Sequence, residues 1–146
     1  MGKRLVIMTA TVGLAFSAGT FVRGPALSAE EPSVDSSKLA VVWTSGDRDV
    51  ALKMVFMYTL NAKKQGWFDQ VQLIVWGPSS KLLTEDEELQ ASIAAMKDVG
   101  VELTACKACA DSYGVSDKLE ALGIEVKYMG VPLTEMLRSD WIVTTF

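Results

Sequence analysis

Apolar residues along the chain fall into two kinds of run. Short, nearly unbroken ones stand at Leu39–Thr44, Val71–Trp76, Val101–Ala105, Ile124–Met129 and Trp141–Phe146. Runs of this length, rich in Val, Ile and aromatic residues, suit strands covered on both faces, as in a parallel sheet. Between them lie longer stretches with apolar residues at helical spacing. The stretch from Asp49 to Gln65 carries Val50, Leu52, Met54, Val55, Phe56, Met57, Tyr58 and Leu60, and Gly66 stops it. A helix so widely apolar predicts sheet against one side and another subunit against the other. Its methionines read as packing rather than as metal ligands, because Met fills irregular core gaps.

Polar punctuation sets the boundaries. Ser45-Gly46-Asp47 turns the chain after the first run, and Asp47 suits a helix cap. Gly77-Pro78 closes the second run, and Ser79 to Leu83 predicts one short helical turn. Thr84-Glu85-Asp86-Glu87 reads as a capping box, its acids at the positive end of a helix and in solvent rather than on a metal. Leu89, Ile93 and Met96 mark the apolar face of that helix, which Gly100 ends. Ser116 opens a short helix through Leu119 and Leu122 to Gly123, and Pro132 suits the first turn of a last helix through Met136 and Leu137. Five strands alternating with helices predict an α/β fold. The expected arrangement is a three-layer α/β/α sandwich around a mostly parallel five-stranded sheet, with right-handed crossovers.

The N-terminus follows a different pattern. Lys3 and Arg4 precede an apolar stretch from Leu5 to Phe16, and Ala26-Leu27-Ser28-Ala29 offers small residues for cleavage. Residues 1–29 read as a secretory signal peptide and 30–37 as a polar linker, leaving 38–146 as one domain. The expected location is outside the cytoplasm, in the periplasm. An uncleaved segment would instead serve as a membrane anchor, the only route to a membrane that the sequence offers. Gly13, Ser17, Gly19 and Thr20 dilute the apolar character short of the ~20 residues a span needs.

Charge and composition narrow the chemistry. The net charge is −4. Without residues 1–29, 11 basic and 18 acidic residues remain, a balance of −7 that repels nucleic acid and anionic membrane. The chain has no histidine, which removes His-based acid–base catalysis, Ser-His and Cys-His nucleophiles, and His-containing zinc sites.

Chemistry then centres on Cys106-Lys107-Ala108-Cys109, which holds both cysteines of the chain. It follows the third apolar run and precedes a stretch able to turn helically before Gly114. A thiol at the C-terminal end of a parallel strand, opening a helix, lies where open α/β sheets place ligands. The helix start favours a thiolate, and Lys107 adds positive charge. Cys-x-x-Cys spacing fits a thioredoxin-like dithiol, half of a metal site shared between subunits, or one reactive thiol with an accessory neighbour. It equally fits two buried core cysteines. Cys109, about one helical turn further on, is expected to be the more buried and less acidic of the two. Ser45, Gly46, Asp47, Gly77 and Pro78 follow the first two strands and would line the same crevice. None of these loops has phosphate-binding spacing. Trp43 and Trp76 read as core.

Residues 38–146 resemble the DsrE/DsrF-like sulfur-transfer family. The resemblance rests on Thr104-Ala-Cys106-Lys-Ala-Cys109-Ala-Asp-Ser-Tyr-Gly114-Val115, where a cysteine after the third strand is followed eight residues later by Gly-Val. The stretch Leu119 to Met129 also looks like small members of that group. The resemblance implies a homo-oligomer, trimer or hexamer, and a persulfide carried on cysteine and passed to a partner. On that spacing the sulfur-accepting role falls on Cys106, with Cys109 accessory. Donors and acceptors would be proteins or small sulfur compounds. Sulfur transfer asks for a nucleophilic thiolate, access for the donor and shelter from reductants, and for no metal or organic cofactor. Two other classes stay open: an oligomeric binding module without catalysis, separated by the reach of solvent to Cys106, and a dithiol redox protein using Cys106 and Cys109.

Overall fold

The computed structural model describes residues 37–146. The expected signal peptide and most of the expected linker lie outside the described residues. Five strands, β1 (Lys38–Trp43), β2 (Gln70–Val75), β3 (Glu102–Cys106), β4 (Glu125–Lys127) and β5 (Trp141–Thr145), form one sheet in the order β4-β3-β2-β1-β5. Every neighbouring pair is parallel; Leu39 lies opposite both Val71 and Ile142, and Cys106 opposite Lys127.

The order dictates where helices go. The chain steps one way across the sheet from β1 to β4, with its crossover helices on one face. It then returns past three strands to pair β5 with β1, over the other face. The first crossover is a continuous helical run: α1 (Arg48–Val50), a π-helical stretch (Ala51–Phe56) and α2 (Met57–Lys64). The single helix expected from Asp49 to Gln65 is thus present, with a widened middle that puts Ala51, Val55 and Phe56 on one buried face. The second crossover is α3 (Pro78–Glu85) and α4 (Glu87–Asp98), and the third is α5 (Lys107–Tyr113) and α6 (Ser116–Ala121). The return carries only α7 (Gly130–Leu137). Helices on both faces make the three-layer α/β/α sandwich.

Alternation along the strands divides the core in two. Leu39, Val41, Trp43, Val71, Leu73, Val75, Leu103 and Ala105 point into the main core with Val55, Leu83, Leu89, Ile93, Met96 and Leu119. Trp43 is fully buried there, its ring edge-on to Phe56 at 5.0 Å and 78°, a geometry worth about 0.5–1.5 kcal/mol beyond burial. The intervening residues Ala40, Val42, Ile74 and Cys106 point to the thinner face, where they meet Met129, Leu133 and Met136. Trp76 is half-buried in that second cluster.

Three local expectations are corrected. The capping box does not form: Thr84 Oγ1 donates to the Lys81 carbonyl at 3.0 Å. Asp86 caps α4 instead, accepting from the Glu88 and Leu89 N–H groups at 3.0 and 3.1 Å. Ser79 to Leu83 is part of a longer helix, Pro78–Glu85, started by Pro78. The strand expected over Ile124–Met129 is only Glu125–Lys127, because β3 ends at Cys106, its partner there, and Met129 already turns helically into α7.

Exposed carboxylates tie these elements together. The Leu89 N–H and then Arg48 hold Asp86 below the ordinary carboxylate range. Arg48 Nε donates to Asp86 at 2.7 Å, and its other arm pairs with Glu88. The Ser116 hydroxyl and then Lys107 lower Asp111, and Lys38 lowers Asp140. A depressed native pKa adds stability that is present above the unfolded value, about 3.9, and is lost as pH falls through the native one. Thermal unfolding followed against pH is expected to give a flat midpoint from neutral down to about pH 5 and a fall below about pH 4. A midpoint unchanged into that acid range would show that these pairs do not couple to folding.

Candidate functional site

Cys106 is the last residue of β3 and the residue before α5, with extended backbone (φ −71°, ψ 110°). Strand alternation sends its side chain to the thin face, where it is 4% exposed beside Ile74 and Met129. Cys109, one turn into α5, is half-buried at the rim of the same cluster. The expected order of burial is therefore reversed. β3 carries Cys106 under the β4–α7 segment, whereas the helix carries Cys109 outward. Both thiols are unbridged.

The Cys106 side chain and the Gly77 N–H lie close enough to Cys109 to act on its thiol. Desolvation first, and then the Cys106 side chain, push the Cys109 thiol above its ordinary pKa; the Gly77 N–H pulls the other way. Gly77 precedes α3 with φ 71° and ψ −134°, a conformation essentially reserved for glycine. That backbone turns the β2–α3 connection towards the thiols.

The remaining candidates are distributed around the C-terminal edge of the sheet. Lys107 does not charge the thiols: its ammonium is bonded to Asp111 at 3.0 Å, which raises the lysine's pKa. Asp111 also accepts from Ser116 at 2.6 Å, so this pair braces α5 against α6. Ser45 Oγ accepts from the Asp47 N–H at 3.1 Å, and Asp47 caps α1 by accepting from Asp49 and Val50 at 2.8 and 3.1 Å. Both residues serve the turn itself. Gly46 and Pro78 do meet across the edge: a Cβ on Gly46 would lie 3.2 Å from Pro78. They line a cavity of about 300 Å³ with Lys81, Leu82, Glu85 and Tyr113. The structure thus joins Cys106, Cys109 and Gly77, and sets Gly46 and Pro78 in an adjoining hollow.

Two motif residues have plain structural work. Gly114 ends α5 in the left-handed region (φ 65°), its N–H donating to Ala110 and Asp111. The Val115 N–H follows onto the Ala110 carbonyl at 2.9 Å, and its side chain is buried in the main core. The Gly-Val pair fixes the length of the helix that begins at Cys106. Met129, fully buried in the same cluster as Cys106, is the residue that sequence reasoning missed. Its signal was the β4 alternation: Met129 follows Lys127, the register partner of Cys106, at a spacing of two.

Among the described residues, no three His, Cys, Asp or Glu side chains converge on a possible metal position. No described helix is long and apolar enough to cross a membrane.

The chain is thus an α/β protein with a parallel sheet and a thiol pair at the C-terminal end of β3, and comparison with known proteins gives its family. The sequence profile of the DsrE/DsrF-like family matches residues 37–145. The chain belongs to the DsrE/DsrF-like family. Among solved structures it is similar to a conserved protein of unknown function from Bacteroides thetaiotaomicron, at 35% identity and a TM-score of 0.74. That match covers 80% of this chain and 100% of the other. The YchN protein of E. coli shares the fold at 18% identity and a TM-score of 0.58, covering 75% of this chain and 98% of that one. No curated protein matches the chain. Family membership points to a function related to sulfur relay.

Proposed function

We propose that the protein is a sulfur carrier that holds sulfane sulfur as a persulfide on Cys106 and passes it to a partner. The observation that carries this reading is the thiol pair: two unbridged, neighbouring cysteines at the C-terminal end of β3, one buried and one partly buried. The chemistry needs no oxidant. A donor R–S–SH gives its outer sulfur to a cysteine thiolate, the donor S–S bond breaks, and R–S⁻ leaves. The apolar cluster of Ile74, Met129, Leu133 and Met136 keeps small reductants from the product. Cys109 is accessory. Its attack on the inner sulfur of a Cys106 persulfide would form a Cys106–Cys109 disulfide and expel HS⁻.

The 4% exposure of Cys106 favours a second reading, a binding module whose cysteines are packing groups. Peptide mapping after equilibration with a sulfane donor separates the two. The carrier reading predicts a gain of about 32 Da on the Cys106 peptide. Cys106→Ser is expected to lower retained sulfur by about ten-fold or more, while Cys109→Ser keeps it. No gain on the parent protein would leave the binding module, and a disulfide as the sole product would favour the dithiol redox class.

Export and assembly belong to the same proposal. The basic start, apolar stretch and Ala26-Leu27-Ser28-Ala29 support cleavage near Ser28 or Ala29 and a periplasmic location. Met54 and Met57 on the first crossover, and Tyr128, Val131 and Leu137 around α7, stand 50%, 56%, 66%, 69% and 64% exposed. Apolar groups in that number support a homo-oligomer, trimer or hexamer. Protein recovered from the cell envelope is expected to lack residues 1–28 or 1–29 by intact mass and to scatter light as an oligomer. A full-length monomer would contradict both parts.

A further inference from the structure

We propose that Cys109 is the first acceptor of the pair, taking sulfane sulfur from a small-molecule or protein persulfide and handing it to Cys106. This rests on the sulfur-carrier reading and adds a direction to it.

Access makes the first argument. A thiolate displaces R–S⁻ by approaching the outer sulfur of R–S–SH in line with its S–S bond, so the attacking sulfur must be open to a whole donor molecule. Cys106 is 4% exposed and shares its cluster with the fully buried Met129. Cys109 is only partly buried, at the rim of that cluster. A donor meets Cys109 without moving Met129.

Adjacency makes the second. Cys106 caps the helix whose first turn carries Cys109, and both thiols sit in one cluster, so a sulfur atom bound to Cys109 is within reach of Cys106. Gly77 makes the third. Its N–H acts on Cys109 from a glycine-only backbone, opposing the burial that holds this thiol above its ordinary pKa, and it favours the sulfur anion that leaves in the second step.

The steps balance. The Cys109 thiolate bonds to the outer sulfur of R–S–SH, the donor S–S bond breaks, and R–S⁻ departs, leaving Cys109–S–SH. The Cys106 sulfur then bonds to that outer sulfur, the bond to Cys109 breaks, and the Cys106 proton ends on Cys109. The product is Cys106–S–SH beside Cys109–SH. One zero-valent sulfur moves, and no net electrons are gained or lost.

The experiment mixes the protein with glutathione persulfide, quenches by alkylation over a time course, and maps the gain of about 32 Da. Tryptic cleavage after Lys107 puts the two cysteines on separate peptides. The parent is expected to load Cys109 first and Cys106 afterwards, with the first phase accelerating as pH rises through the thiol range. Cys109→Ser should load Cys106 about ten-fold or more slowly but to the same final extent. Cys106→Ser should keep the fast phase on Cys109 and then lose the sulfur. Adding Met129→Ala to Cys109→Ser should restore fast loading of Cys106. Cys109→Ser loading at the parental rate, or Cys106 loading first in the parent, overturns the direction and leaves the carrier reading standing. A parent that never takes up sulfur overturns the carrier reading itself.

Discussion

Parallel strands need cover on both faces, and in this domain the cover is unequal. Winding from β1 to β4 in one direction commits three crossovers to one face. Only the return from β4 to β5 protects the other, with α7, which has no fully buried residue of its own. The thin face is sealed by Met129, just before that helix, and by the partial burial of Leu133 and Met136. The chemistry of the cysteines follows from lying under this thin cover. Cys106 takes the sheltered place because strand alternation points it there. Cys109 takes the rim because one helical turn carries it out of the sheet.

The same inequality accounts for the exposed apolar groups. A short helix over a broad sheet leaves Val131 and Leu137 in water in the single chain, and Tyr128 beside them. Further along the thin face, Gln72 and Thr104 are buried polar residues that satisfy each other at 3.0 Å, as a buried pair must. Beside them opens a hollow lined by Glu102, Lys127, Pro132, Met136 and Trp141. Shelter at the cysteine end and openness further along both come from a single covering helix.

Much of this was legible in the chain. The apolar runs located every strand because fully covered strands are continuous in hydrophobicity, and Asp47, Gly66 and Gly100 marked helix ends through local backbone rules. Locality is also where legibility stopped. Thr84 and Asp86 both lie within reach of a helix start, but α3 runs through Thr84 to Glu85 and leaves Asp86, which also pairs with Arg48 38 residues away, as the cap. Cys106 shares its buried cluster with Met129, from the far side of α5 and α6, so no window around the cysteines contained that cluster. Lys107 looked like a thiolate partner by proximity in sequence, but an i,i+4 acid, Asp111, claims its charge. Gly77 was placed both at the end of a strand and on the crevice; which thiol its N–H acts on is set by tertiary structure.

The central claim is that this thiol pair carries sulfane sulfur, and cyanolysis measures that sulfur directly. The protein is loaded with inorganic polysulfide, desalted and treated with cyanide, which converts sulfane sulfur to thiocyanate. The account predicts about one thiocyanate per chain, and none above background when both cysteines are replaced by serine. Equal release from the parent and the double variant, or none from either, would contradict it.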